Sequence, residues 1–108
     1  MILRIWHGWT SPSDATAYEQ LLRDEIFPEI AEMTGEGYLG HEIGRREDEK
    51  RVEYVTIIRF ESWEDVEAFA GPNPEHAHVP DEAKELLVDH DSHVKHYRVR
   101  DREDGVPP

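Results

Sequence analysis

Arg51-Val52-Glu53-Tyr54-Val55-Thr56-Ile57-Ile58-Arg59-Phe60-Glu61 is the most informative stretch of this 108-residue chain. β-Branched and aromatic residues dominate it, neither Gly nor Pro interrupts it, and charges close both ends. It reads as a strand. Successive side chains of a strand point to opposite faces. Val52, Tyr54, Ile58 and Phe60 then share one face, while Val55 and Ile57 share the other. A sheet with one face in water alternates cleanly between apolar and polar residues. This strand is apolar in both phases, so both of its faces need cover.

Residues 37–47 (GYLGHEIGRRE) form a second strand, joined to the first by the charged turn Asp48-Glu49-Lys50 as a hairpin. At the N-terminus, residues 2–10 (ILRIWHGWT) are apolar, aromatic and β-prone, with Leu3, Ile5 and Trp9 on one face and Ile2 and Trp6 on the other. Ser11 supplies a cap for the following helix, with Pro12 at its first position and Asp14 three residues on. That helix is expected over about residues 12–33, on the helical spacing of Tyr18, Leu21, Leu22, Ile26, Ile30 and Met33. Pro28 cannot donate to the carbonyl of Asp24, which predicts a kink or break near Phe27. Ser62-Trp63-Glu64-Asp65 is a second capping signature, and Gly71-Pro72 stops the helix it opens. A loop at 72–80, a short helix at about 81–88 and a last strand at 92–100 (SHVKHYRVR) complete the chain.

The order β-α-β-β-α-β predicts one α+β domain of ferredoxin-like type over residues 1–100, with an antiparallel sheet and helices on one face. The acidic tail, 101–108, has nothing to bury and is expected to be disordered. An apolar sheet face left open by the helices marks an interface. The simple solution is a homodimer through the sheet, burying Tyr54, Ile58 or their face partners.

Acidic residues number 25 against 12 basic ones, a formal net charge of −13. So negative a surface repels phosphate backbones and anionic lipid heads, which excludes nucleic acid and membranes as expected partners. The chain has no cysteine, hence no disulfide, thiolate metal site or Cys nucleophile. Met1 runs directly into Ile2-Leu3-Arg4-Ile5-Trp6 without a basic n-region or a cleavage site, and the expected location is cytoplasmic.

The chain resembles the antibiotic biosynthesis monooxygenase (ABM) domain family of dimeric α/β barrels, over residues 2 to about 100. Ile5-Trp6-His7-Gly8-Trp9-Thr10 and Leu21-Leu22-Arg23-Asp24-Glu25-Ile26-Phe27-Pro28 carry the resemblance. Val55-Thr56-Ile57-Ile58-Arg59-Phe60 with Ser62, Ala68-Phe69-Ala70-Gly71 and His96-Tyr97-Arg98-Val99 continue it. The resemblance implies a pocket between sheet and helices, lined by aromatic and polar side chains. It also implies an oxygenase that needs no metal, flavin or other cofactor and acts on a small aromatic or quinol-like compound. Haem-degrading relatives place an Asn, a Trp and a His where this chain has His7, Phe69 and His76, so haem degradation is not implied. The alternative is a non-catalytic barrel that binds a small apolar metabolite or serves a structural role.

Trp6, His7 and Trp9 crowd one strand. In the oxygenase reading an indole stacks on the substrate ring and His7 is the base that takes a phenolic proton. Aromatics on a strand also serve as plain packing. Arg59 could meet a substrate anion, or pair with Glu42 or Glu53 across the sheet. Tyr54 and Tyr97 could offer hydroxyls to a ligand or act as interface aromatics. Phe69, His76 and His78 lie where related proteins open their pockets. A His-x-His pair at 76–78 with His90, His93 and His96 matches no fixed metal-ligand spacing, so no metal is expected.

High acid with only three lysines fits a salt-rich cytoplasm, and it equally fits an acidic surface that simply keeps the protein soluble. A thermal-melting series in KCl separates the two. Screening of like charges raises the melting temperature steeply from low to molar salt in the first case, and a flat profile leaves the second.

Overall fold

β1 (Ile2–Thr10) and β3 (Val52–Phe60) pair antiparallel along their whole length, from Ile2 opposite Phe60 to Thr10 opposite Val52. Around that pair the chain builds an α+β domain of ferredoxin-like type. The computed structural model describes residues 1–105. β2 (Tyr38–Glu47) pairs with the outer edge of β3. The other edge of β1 is shared by β4 (Leu87–His90), against Gly8–Thr10, and β5 (Lys95–Arg98), against Ile2–Ile5. The result is a five-stranded antiparallel sheet with strand order β2-β3-β1-β4 and β5 also on β1.

Helices α1 (Ala15–Leu21) and α2 (Phe27–Thr34), α3 (Trp63–Ala70) and α4 (Asp81–Leu86) cover one face. Under them Ile2, Val52, Tyr54, Ile58 and Phe60 pack against Tyr18, Leu22, Phe27, Ile30, Val66 and Ala83. Tyr54 is fully buried, its hydroxyl within hydrogen-bond reach of the Ala15 carbonyl and the Glu19 carboxylate. Tyr54 and Ile58 therefore belong to the core beneath the helices. The open face carries Leu3, Ile5, His7 and Trp9 from β1, Val55, Ile57 and Arg59 from β3, and Tyr97 from β5. Any sheet-to-sheet partner would meet these residues and not Tyr54 or Ile58.

Two further expectations change. Of the kink or break expected near Phe27, the first helix shows an irregularity there and no break. It widens into one π-turn over Leu22–Ile26, where the Phe27 N–H reaches back to the Leu22 carbonyl. The wider turn absorbs the missing Pro28 donor and lets the helix continue to Thr34. The last strand is not a single run either. It begins at Leu87, where a helix was expected, and bulges outward at residues 91–94 before resuming at Lys95. The bulge is pinned from both sides: the Asp91 N–H donates to the His7 carbonyl and the Val94 N–H to the Glu75 carbonyl. In β2 a register shift falls between Tyr38 and Gly40, and Gly40 takes a φ of +137°. A Cβ there would press on the Arg59 guanidinium as well as strain the backbone. Of the two caps expected, the one at Ser62 is present, the Asp65 carboxylate accepting from both the N–H and the hydroxyl of Ser62, whereas the Ser11 hydroxyl turns to the Asp14 carboxylate and caps no helix N–H. Residues 101–105 form neither helix nor strand and are exposed. The rest of the expected tail, 106–108, lies outside the described residues.

Arg4 is the one buried charged residue among those described, 7% exposed. It shares the helix-side face with Ile2 and Trp6. One guanidinium nitrogen donates to the Pro74 carbonyl at 2.9 Å and to His96 Nε2 at 2.8 Å, and the group lies over the Phe69 ring at 4.9 Å. β1, the 72–80 loop, α3 and β5 are thereby tied at one point.

Burial, and then the neighbouring Arg4 cation, push the His96 pKa down to about 4. The unfolded chain holds this histidine near the ordinary value of about 6.5. Between those two values the unfolded state takes up a proton that the folded state refuses, so stability falls as pH drops through that window. Relative to His96→Gln, the wild type should lose up to about 3 kcal/mol between pH 6.5 and 4, less where water screens the ring. Urea melts across that range check it. Parallel profiles for the two proteins would remove the Arg4–His96 account.

Candidate functional site

Between the sheet and the helices lies a cavity of about 90 Å³. Its floor is Arg4, Trp6, Thr56 and Ile58 of the sheet. Its walls are Tyr18, Leu22, Ile26, Phe27 and Ile30 of the first helical segment and Phe69 of α3. Residues Ala77–Pro80 of the loop and Val94 of the edge bulge form its rim. Apolar atoms dominate the lining, and the polar groups are few and separately placed, as in sites that select a small organic molecule.

Each polar group has a distinct state. The Arg4 guanidinium has no carboxylate within ion-pair distance among the described residues, unlike Arg23, Arg45, Arg51, Arg59 and Arg102. Burial pulls its pKa down to about 10, which still leaves it charged at neutral pH. Removing an ion from water costs several kcal/mol. One carbonyl, one imidazole and one ring offset only part of that. His96 supports the cation without cancelling it. Because Arg4 donates to Nε2, the neutral ring carries its proton on Nδ1, which is buried without a partner.

Tyr18 is 1% exposed, and burial followed by the nearby Tyr54 raises its pKa, so its hydroxyl remains a neutral donor. Thr56 is occupied by the Trp6 carbonyl at 3.4 Å. The Trp6 indole N–H is likewise spoken for, donating to the Asp91 carbonyl at 2.8 Å, which leaves the ring face to the cavity. Among the described residues His78 brings the one imidazole that lines the cavity, edge-on to His76.

The residues singled out in the sequence divide between the two faces. Trp6, Phe69 and His78 reach the cavity. His7 and Trp9 do not, because odd-numbered positions of β1 point to the open face. There His7 stacks on Trp9 with centroids 6.3 Å apart, and its Nδ1 lies 2.8 Å from Asp91 Oδ2. Asp91 also accepts the His7 backbone N–H. The Arg51 guanidinium covers the Trp9 ring at 4.9 Å. Arg59 pairs with Glu42 at 2.9 Å, the cross-sheet partner anticipated for it, and stays on the open face. Tyr54 is sealed beneath α1. Tyr97 stands 49% exposed on the open face. His76 forms an isolated bridge with His93 at the loop and does not enter the cavity. Among the described residues no group of three His, Asp or Glu side chains is placed to hold a metal ion. No helix is long and apolar enough to cross a membrane.

The sequence reading passed over Arg4 and Tyr18 as site residues. A signal for Arg4 was present: it is a charge in phase with Ile2 and Trp6, on the face that must be core.

No family model matches the sequence, and no curated protein matches it. Solved structures do. A protein of Deinococcus radiodurans, provisionally named an antibiotic biosynthesis monooxygenase, superposes with a TM-score of 0.64 at 14% identity, covering 99% of this chain and 100% of that one. A similarly named protein of Bacillus cereus gives 0.63 at 16% identity, over 99% and 98%. A monooxygenase from the gene ActVA-Orf6 of Streptomyces coelicolor, solved in complex with the ligand nanaomycin D, gives 0.60 at 15% identity, over 99% and 92%. At such identities the likeness is one of fold: this chain has the fold of the antibiotic biosynthesis monooxygenase proteins.

Proposed function

We propose that this protein is a cofactor-independent oxygenase that takes one small phenolic or quinol-like ring into the helix-side cavity and works as a homodimer. The observation that carries the reading is the cavity itself, an apolar slot with an indole face, a neutral tyrosine hydroxyl, a buried cation and one imidazole. The oxygenase name of the ActVA-Orf6 protein, which has the same fold, supports it.

A volume of about 90 Å³ falls below the range of roughly 300–1,000 Å³ for sites that hold drug-sized molecules. The cavity fits a single ring unless the rim at 77–80 moves. The ring lies against Trp6 and Phe69. His78, and not His7, is placed to take the phenolic proton, imidazole being suited to that transfer near neutral pH. The Tyr18 hydroxyl, kept a neutral donor by burial, stabilises the resulting anion. For a quinol, one oxygen atom of O₂ replaces a ring hydrogen and the other leaves as water. The substrate supplies all the electrons by becoming a hydroxyquinone, so no external reductant enters. The protein orients the ring, excludes water and holds the charge.

The placement of His7 outside the cavity favours the second reading, a barrel that binds such a ring without turning it over. Oxygen uptake by the purified chain with a panel of small phenols and quinols decides between them. The oxygenase reading expects consumption above background and a roughly hundredfold or greater loss in His78→Ala, the scale of a lost general base, with His7→Ala close to wild type. Ring binding without oxygen uptake would leave the binding role in its place.

For the assembly, the partner is a second copy of this chain laid across Leu3, Ile5, Val55 and Ile57. Light scattering should give twice the chain mass at micromolar concentration in adequate salt. Ile57→Asp should yield the monomer, since the two-fold axis buries the introduced charge twice. A wild-type monomer under those conditions would refute the pairing.

A further inference from the structure

The geometry points to an organic anion, a single-ring aromatic carboxylate, as the ligand of the helix-side cavity, with its carboxylate on Arg4. This rests on the reading of that cavity as the ligand site and adds the charge and class of what enters it.

Three observations converge. Arg4 is more than nine-tenths buried and lines the cavity. Only one of its guanidinium nitrogens has a protein acceptor, in Pro74 and His96, which leaves the remaining N–H groups without one among the described residues. The other buried members of the cavity lining are apolar or neutral, so no protein group there balances the charge. A guanidinium offers parallel N–H groups that match the two oxygens of a carboxylate, and the pair is strongest where water is excluded. The ring of the same ligand fits against Trp6 and Phe69, and the Phe69 face already stacks on the Arg4 cation.

The carboxylate is preferred over a phosphate ester on size and charge. A single-ring acid with its carboxylate already exceeds the about 90 Å³ of the cavity and extends into its open rim, so a bulkier phosphate ester fits less well. A dianion would also meet greater repulsion from a chain of formal charge −13. Elsewhere in the lining the Tyr18 hydroxyl, neutral and without a protein partner among the described residues, suits a ring hydroxyl. A hydroxybenzoate-type compound thus satisfies both ends.

The test compares 4-hydroxybenzoate with 4-hydroxybenzamide, which keeps the ring, the hydroxyl and the shape but not the charge. Binding is measured by calorimetry at pH 7 in moderate salt, so that long-range repulsion is screened. The acid should bind wild type at least tenfold more tightly than the amide. Arg4→Met should erase that preference, the acid losing at least tenfold more affinity than the amide. Arg4→Met exchanges the buried charge for an apolar side chain of similar length and leaves the Pro74 carbonyl and His96 Nε2 without their donor. Its thermal melt verifies that it folds, and the wild-type comparison stands without it. Equal affinity of the acid and the amide for wild type would overturn the anion assignment while leaving a ring-binding cavity. A preference that survives in Arg4→Met would also overturn it. Failure of both compounds to bind would overturn the cavity reading and this inference together.

Discussion

The pairing of β1 with β3 constrains everything else in the molecule. Their register, Ile2 on Phe60 through Thr10 on Val52, commits even-numbered residues of β1 to the helix side and odd-numbered ones to the open side. A slip by one residue would exchange the two sets entirely. Arg4 inside and His7 outside are consequences of that one parity. The fold does not place Arg4 among Ile58, Phe69 and Trp6 in spite of its charge. It places it there because the neighbours at positions 2 and 6 must be core. The surrounding loop then closes on the guanidinium with the Pro74 carbonyl, and β5 brings His96 opposite.

Electrostatically the molecule is layered. Its surface is strongly negative, and that field is felt over roughly 8–10 Å at ordinary ionic strength. The cavity contains the opposite sign in a setting that water screens far less than the surface. Surface ion pairs such as Arg23–Glu19 and Arg45–Glu47 are solvated and contribute little. The buried cation is a different case, because its interaction with anything that shares the cavity is magnified by the low dielectric. Arrangement, and not net charge, sets what the interior tolerates.

Most of the architecture was legible in the sequence because the strands and helices are periodic and their ends are signed. The Val52–Phe60 alternation, the Ser62–Asp65 cap and the stop at Gly71 each read directly. The side on which His7 lies was legible too: it shares its phase with Leu3, Ile5 and Trp9, and opposes Trp6. Treating the Trp6-His7-Trp9 cluster as one site overlooked that phase. Other features had no local signature. Pro28 signals trouble in a helix but not that a π-turn will absorb it. Asp91 meets His7 across 84 positions of sequence, and the cavity exists only where the 72–80 loop folds over the sheet. Long-range closure of this kind leaves no periodic trace.

The interruption of the last strand at 91–94 also bears on how the protein behaves among its own copies. A sheet edge offers a row of unpaired backbone groups to any passing strand, and long flat edges recruit one another into fibrils. Here that edge is cut into two four-residue pieces, β4 and β5, with the intervening segment turned aside and bonded to the Glu75 carbonyl. The opposite edge, β2, bears a bulge at Gly40 and a charged end, Arg45-Arg46-Glu47. The first border is too short to serve as a template, and the longer β2 border is interrupted by its bulge and guarded by charge. Both borders thereby discourage endless strand addition between copies.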